Sequence, residues 1–167
     1  GKNMTDKALN LELAGLNING FVHVGAGVGE YARYYHRLGV CQIMWIEAVA
    51  GYYPMLYENT RSFGMDQRIF MENLGVEKSF KTLWREHAAF IPKLDGYDAL
   101  HLACHRNQIK ILTGFEDLFD LFQCVVISKH ADAPENEKED DAMVEDYLSK
   151  KGFTLTSFLP TGSNASL

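Results

Sequence analysis

The chain of 167 residues predicts an α/β fold, a three-layer sandwich around a mostly parallel sheet. Three observations carry this expectation. Short apolar runs alternate with longer helical patterns along the chain. Several runs, such as Ile43-Met44-Trp45-Ile46 and Cys124-Val125-Val126-Ile127, are apolar at consecutive positions, as strands covered on both faces are. Phe21-Val22-His23-Val24 runs straight into Gly25-Ala26-Gly27-Val28-Gly29-Glu30, with three glycines at alternate positions ahead of a helical pattern.

The elements follow in order. Residues 5–16 place Leu9, Leu13 and Leu16 at helical spacing, with Thr5 or Asp6 as cap. A turn at Asn17-Ile18-Asn19-Gly20 leads into a first strand over 20–25. The first crossover helix spans 28–38, with Tyr31, Tyr34, Tyr35 and Leu38 on one face, and stops at Gly39. A second strand covers 42–47. Pro54 suits the first turn of a helix over 53–62, with Met55, Leu56 and Phe63 toward the sheet and Gly64 at its end. Residues 68–71 read as a short third strand, and 78–90 as a helix resting on Phe80, Leu83 and Trp84. After Asp95-Gly96 comes a fourth strand over 97–104. One strongly apolar helix is expected over 107–121, then a fifth strand over 124–128. The charge run from Glu135 to Asp141 reads as a solvated loop, leading into a helix buried through Met143, Val144, Tyr147 and Leu148 and ended by Gly152. Residues 153–159 alternate as a half-buried strand would. No repeat or low-complexity segment divides the chain, so 1–167 reads as a single domain.

Composition narrows the function classes. With 47% apolar residues the chain can bury a substantial core. No apolar run approaches the ~20 residues that cross a bilayer, so no membrane partner is expected. The net charge is −6 and the positive residues are scattered, which argues against a nucleic-acid groove. Cys41, Cys104 and Cys124 are odd in number and lack CxxC spacing. They read as buried thiols of a reducing compartment. The first residues of the sequence show no basic segment followed by an apolar one, so secretion is not expected and a cytoplasmic location is. Nothing in the composition excludes a homo-oligomer.

Open parallel sheets bind ligands beyond the carboxyl ends of their strands, so chemistry is sought at the tips. The second strand ends in Glu47, a carboxylate able to accept hydrogen bonds from both hydroxyls of a ribose. The glycines are spaced Gly-x-Gly-x-Gly, not the Gly-x-Gly-x-x-Gly of dinucleotide binders. That suits S-adenosylmethionine, which has no pyrophosphate for a helix N-terminus to hold. Plain turn chemistry is the competing reading of the same glycines. Candidate cofactor residues are Gly25, Ala26, Gly27, Gly29, Glu30, Glu47, Ala48 and Asn73, with Glu72 beside the last.

Among the histidines, His105 lies just past the fourth strand, where sheet topology places ligands, and is the first candidate for catalysis. His101, within that strand, is the second. Their i, i+4 spacing would suit a metal on a helix but not on a strand, so no metal site is expected. His23 reads as a hydrogen-bonded core histidine, His36 and His87 as surface groups. Lys129 and His130, past the fifth strand, are candidates for an acceptor pocket.

Val22-His23-Val24-Gly25-Ala26-Gly27-Val28-Gly29-Glu30 and Trp45-Ile46-Glu47-Ala48 resemble FkbM-type S-adenosylmethionine-dependent methyltransferases. So do Tyr97-Asp98-Ala99-Leu100, the stretch 111–118 and the stretch 147–153. The resemblance runs from about Gly20 to Leu159. It implies a class I, Rossmann-like methyltransferase fold and O-methyl transfer to a sugar or small-molecule hydroxyl. It also implies that Gly25, Gly27 and Gly29 contact the methionine portion while Glu47 holds the ribose. After the fourth strand the family usually reads Lys-Ile-Asp-Val-Gln-Gly-x-Glu. Here it reads His101-Leu102-Ala103-Cys104-His105-Arg106-Asn107-Gln108, without the acids, and the segment from 71 to 81 is short. Those departures keep two other readings open: a catalytically inactive methyltransferase-like binding module, and a nicotinamide-binding domain.

Overall fold

A computed structural model describes residues 2–6, 15–90, 96–104, 106–128 and 135–156, the side chains of 135–140 excepted. Seven strands form one sheet in the order β4-β3-β2-β5-β6-β1-β7, and every pairing in it is parallel. They are β1 (Lys2–Thr5), β2 (Gly20–Val24), β3 (Gln42–Ile46), β4 (Asp66–Phe70), β5 (Ala99–Leu102), β6 (Cys124–Ile127) and β7 (Phe153–Leu155). Counted from β2, the first five follow the 3-2-1-4-5 order of doubly wound sheets. The topological switch therefore falls between β2 and β5. All the carboxyl ends lie on one edge.

Side-chain alternation sorts each central strand onto two faces. Val22, Val24, Met44, Ile46, Leu100, Leu102, Val125 and Ile127 share one core with α3 (Phe80–His87), α4 (Gln108–Thr113) and α5 (Glu135–Lys150). Phe21, Ile43, Trp45, Ala99, Cys124 and Val126 share the other with α1 (Ala32–Arg37) and α2 (Tyr53–Thr60). The result is the expected α/β layering, with every described strand pairing parallel.

Several boundaries differ from the sequence reading. Thr5 ends a strand, β1, which slots between β6 and β7; the remainder of the helix expected over 5–16 lies largely outside the described residues. The first crossover helix starts only at Ala32, because the glycine turn occupies 27–31. Residues 107–121 are not one helix. α4 stops at Thr113 and a 3-10 turn spans Glu116–Leu121, with Glu116 at a left-handed φ of 50°. The break lets Phe115 stack on Phe80 at 4.2 Å between centroids. The charge run is helical rather than a loop, forming the start of α5. Val144 and Leu148 are buried as expected, but Met143 and Met55 point outward, at 57% and 53% exposure. Cys124 is buried, Cys104 partly so, and Cys41 is exposed, not buried; all three thiols are free.

The amino edge of the sheet is pinned by Asp98, which precedes β5. Its carboxylate accepts from the N–H groups of Asn19 and Gly20 at 3.0 Å and from Gln123 Nε2 at 2.8 Å. One side chain thereby aligns the starts of β2, β5 and β6. Hydrogen bonds to a charged group are worth about 1.5–3 kcal/mol each, so Asp98→Ala should lower the urea unfolding free energy by at least that amount. A midpoint unchanged by the substitution would refute the pinning role.

Candidate functional site

The turn after β2 is shaped by three demands on its backbone. Gly25, Gly27 and Gly29 all take positive φ, at 87°, 57° and 84°. A Cβ on Gly25 would come within 2.9 Å of the Ala103 carbonyl carbon at the end of β5, and one on Gly29 within 2.6 Å of Thr60 Cγ2 on α2. Two of the glycines thus serve close packing of the fold itself, and left-handed φ suits glycine at all three. Asn59 Nδ2 reinforces the packing by donating to the Val28 carbonyl at 2.8 Å.

Glu47 closes the turn from the side of β3. Its Oε1 accepts from the Gly27 N–H at 2.7 Å and its Oε2 from the Val49 N–H at 2.8 Å. The side chain is buried, and neither oxygen meets a cation among the described residues. A carboxylate offers about four lone-pair sites. Two amides use two of them, so each oxygen can still accept from a ligand hydroxyl.

A cavity of about 510 Å³ opens at this edge, lined by Val24 and Gly25 from β2, Ile46, Glu47 and Ala48 from β3, Glu72 to Leu74 after β4, and Ala103, Cys104, Arg106 and Asn107 after β5. Tyr52 and Ile111 complete its wall. Its volume lies within the ~300–1,000 Å³ of small-molecule sites. Of the expected cofactor residues, Gly25, Glu47, Ala48 and Asn73 meet here. Gly27 stands behind Glu47, its N–H given to the carboxylate. Ala26 and Gly29 are buried in the turn, and Glu30 is exposed; none of these three lines the cavity. Arg106 and Asn107 were not among the candidates, and Tyr52 reads from the sequence as a packing residue with the option of bordering the cofactor. Their position after strand tips was the signal that could have found them.

The histidines go elsewhere. His101 is not at the cavity but fully buried on the opposite face of β5, in register with His23 of β2. Alternation decides this: odd positions of β5 face α1, while Leu102 faces the other core. Tyr35 of α1 places its hydroxyl between the two rings, 2.5 Å from His23 Nδ1 and 2.6 Å from His101 Nδ1. His101 Nε2 reaches Ser128 Oγ at 2.8 Å. Tyr31 packs its ring against His101, with centroids 4.6 Å apart. His105, Lys129 and His130 lie outside the described residues.

Burial sets the charge state of this chain. Desolvation lowers the His23 pKa to about 3, against a smaller upward pull from a backbone hydrogen bond with Gly25. Desolvation, with His23 second, takes His101 well below its ordinary value, and burial takes Tyr35 well above its own. Both imidazoles are neutral at pH 7. Tyr35 has one proton, so it donates to one ring and accepts from the other. The Gly25 N–H already bonds Ile46 O, which leaves its carbonyl for a ring N–H of His23. The consistent arrangement runs from Ser128 to His101, to Tyr35, to His23, and ends on Gly25. It props the turn that floors the cavity.

At the cavity itself the thiol of Cys104 is pushed up to about 12, chiefly by burial. Glu72 Oε1 pairs with Lys78 Nζ at 3.2 Å. Among the described residues no group of three His, Cys, Asp or Glu side chains could hold a metal ion, and no helix is long and apolar enough to cross a membrane. No protein-family model matches this chain, and a search of curated proteins finds no match.

Two measurements check the buried chain. Imidazole nitrogen NMR should show His23 protonated on Nε2 and His101 on Nδ1; the reverse tautomers would reject the assigned direction. The second is the pH dependence of stability. Below about 6.5 the unfolded histidines bind protons that folded His23 refuses down to about 3. The unfolded state then binds more protons, so stability rises with pH through that window. Each such histidine contributes a slope of about 1.4 kcal/mol per pH unit. His23→Gln should flatten the urea-derived slope between pH 6.5 and 4, and an unchanged slope would contradict the burial argument.

Proposed function

We propose that the chain binds S-adenosylmethionine in the cavity beyond β2, β3 and β5 and transfers its methyl group to an oxygen of a small molecule or glycan. The observation that carries this reading is the Glu47 carboxylate at the tip of β3, hydrogen-bonded to the glycine turn with acceptor capacity to spare. When bound, the cofactor supplies a methyl already activated on a sulfonium.

The residues divide the work. Glu47 would receive the two ribose hydroxyls, each carboxylate oxygen using its remaining lone pairs. Gly25, with no side chain and positive φ, lets a ligand approach the end of β2 closely. Ala48 and Tyr52 continue the wall past Glu47, and Asn73 offers an amide on the β4 side. The Gly-x-Gly-x-Gly spacing favours this cofactor over a nicotinamide dinucleotide, whose pyrophosphate is usually met by Gly-x-Gly-x-x-Gly. Methyl transfer needs in-line placement above all, and placement can supply ~7–11 kcal/mol of a barrier. A general base is worth ~10²–10⁴-fold.

The state of the cavity's own acid–base groups supports a second reading. Among the described cavity residues, Glu47 is engaged by amides, Glu72 by Lys78, and the Cys104 thiol is held protonated. A domain that captures the cofactor without turning over accounts for this lining equally directly.

Calorimetry with S-adenosylhomocysteine separates the possibilities. The wild-type chain should bind it, and Glu47→Gln should weaken binding by about 10- to 100-fold, the value of hydrogen bonds to a charged acceptor. Circular dichroism confirms that the variant is folded. Absence of heat and of thermal stabilisation at millimolar ligand would refute cofactor binding, because binding to the native state alone must raise stability. Transfer of tritiated methyl to any acceptor would exclude the inactive module.

A further inference from the structure

We propose that Arg106 is the anion-binding residue of the cavity and that its guanidinium receives a carboxylate there. The inference rests on the reading of this cavity as the S-adenosylmethionine site and names a chemistry that reading leaves open.

Four observations converge. Arg106 is the one cationic side chain among the described residues lining the cavity. No ion pair within the described residues engages it, whereas Lys78 sits between Glu72 and Glu86 and Lys81 between Glu116 and Asp117. Neither of the cavity's own carboxylates pairs with Arg106: Glu47 accepts from the Gly27 and Val49 amides, and Glu72 pairs with Lys78. The segment carrying Arg106 is also held in place. Gln108, buried at 3% exposure, donates from Nε2 to the Cys104 carbonyl at 2.7 Å. Asn107 takes a left-handed φ of 60°, uncommon away from glycine, and its carbonyl accepts from Ile111 at 2.9 Å.

Placement in the sheet supplies the direction. Glu47 belongs to the tip of β3, Gly25 to β2 and Arg106 to the segment after β5, and the three strands are neighbours in that order. A ligand whose hydroxyls meet Glu47 and whose middle crosses Gly25 therefore brings its far end to Arg106. The planar fork of a guanidinium matches a carboxylate through two parallel hydrogen bonds, so this chemistry suits the position better than a neutral hydroxyl does.

The carboxylate has two sources. One is the amino-acid end of the cofactor. The other is the acceptor. With a carboxylate acceptor, one oxygen forms the new bond to the methyl carbon while the carbon–sulfur bond breaks and its electron pair goes to sulfur. The products are a methyl ester and a neutral thioether, and no proton has to be removed. Such a step runs without the base that the described lining lacks.

The experiment titrates wild type, Arg106→Gln and Arg106→Lys with S-adenosylhomocysteine and with methylthioadenosine, which keeps the nucleoside and sulfur but has no carboxylate. Each protein saturated with S-adenosylhomocysteine is then titrated with benzoate and succinate. Loss of about 10- to 100-fold in S-adenosylhomocysteine affinity in Arg106→Gln, with methylthioadenosine unchanged and partial rescue in Arg106→Lys, assigns the residue to the cofactor's carboxylate. Unchanged nucleoside binding with loss of benzoate or succinate binding assigns it to the acceptor. Equal affinities of wild type and Arg106→Gln for all four probes overturn the proposal. Failure of the wild type to bind either nucleoside is a separate result: it removes the cofactor reading, and the inference falls with it.

Discussion

The architecture of this edge depends on one hydrogen-bonded carboxylate. Glu47 leaves β3 at the point where the chain must turn, and its two oxygens take the N–H groups of Gly27 and Val49. Those amides belong to two different loops, one after β2 and one after β3. Joining them through one buried acceptor holds both loops against the sheet and gives the cavity its wall. A buried carboxylate is costly unless hydrogen bonds compensate it, and backbone amides do so without long side chains to order. The same group retains unused acceptor sites toward the cavity. A structural role and the proposed binding role can therefore share one side chain without competing for the same lone pairs.

The glycine turn is gripped from below as well. On the α1 face, Ser128, His101, Tyr35 and His23 form a hydrogen-bonded line that spans β6, β5, α1 and β2. Polar groups this deep in a core destabilise unless each finds a partner, and here each does. Neutrality follows from the same burial. A protonated imidazole would be surrounded by Phe21, Trp45 and the rings of Tyr31 and Tyr35, with no carboxylate near enough to offset its charge among the described residues. The chain is best understood as a polar strut that fixes the relation of α1 to the sheet. It works on the far side of the strands from the cavity, and touches it only through Gly25.

Two edges of the sheet have opposite tasks. At the amino edge Asp98 gathers the backbone amides of Asn19 and Gly20 at the start of β2 and the side-chain amide of Gln123 just before β6, and so ties these strand starts together. At the carboxyl edge β2 and β5 stay paired to their ends, and a ligand-sized space opens among the loops that follow the strands near the switch point. Placing the stabilising carboxylate at one end leaves the other end free to carry Glu47, Tyr52, Asn73 and Arg106. Addition of β1 and β7 beyond β6 extends the sheet away from the cavity without altering it.

The sequence by itself determined the layer architecture and the sheet edge at which the cavity opens. Consecutive apolar residues in 43–46 and 124–127 can only be satisfied between two helical layers, and alternating glycines before a helix need a tight turn wherever they occur. Glu47 was legible for the same reason: a lone acid terminating an apolar strand has no other place to go. Tertiary structure decided the rest. His101 was assigned by its nearness to a strand tip, but the parity of one residue sends it to the α1 face and into the bond with Tyr35, a contact 66 positions apart in the chain. The charge run of 135–141 looked like a loop because local composition cannot register a core that Val144 and Leu148 supply further along. The pattern over 107–121 read as one helix, yet it breaks after Thr113 and Phe115 stacks on Phe80, a partner 35 positions away that no local pattern displays. Arg106 follows a strand tip in the sequence, but only the cavity that forms beside that tip singles it out. Local spacing encodes which way a side chain faces within its own element, whereas the partners it meets depend on how the strands are ordered in space, and that order is written in no single stretch of the chain.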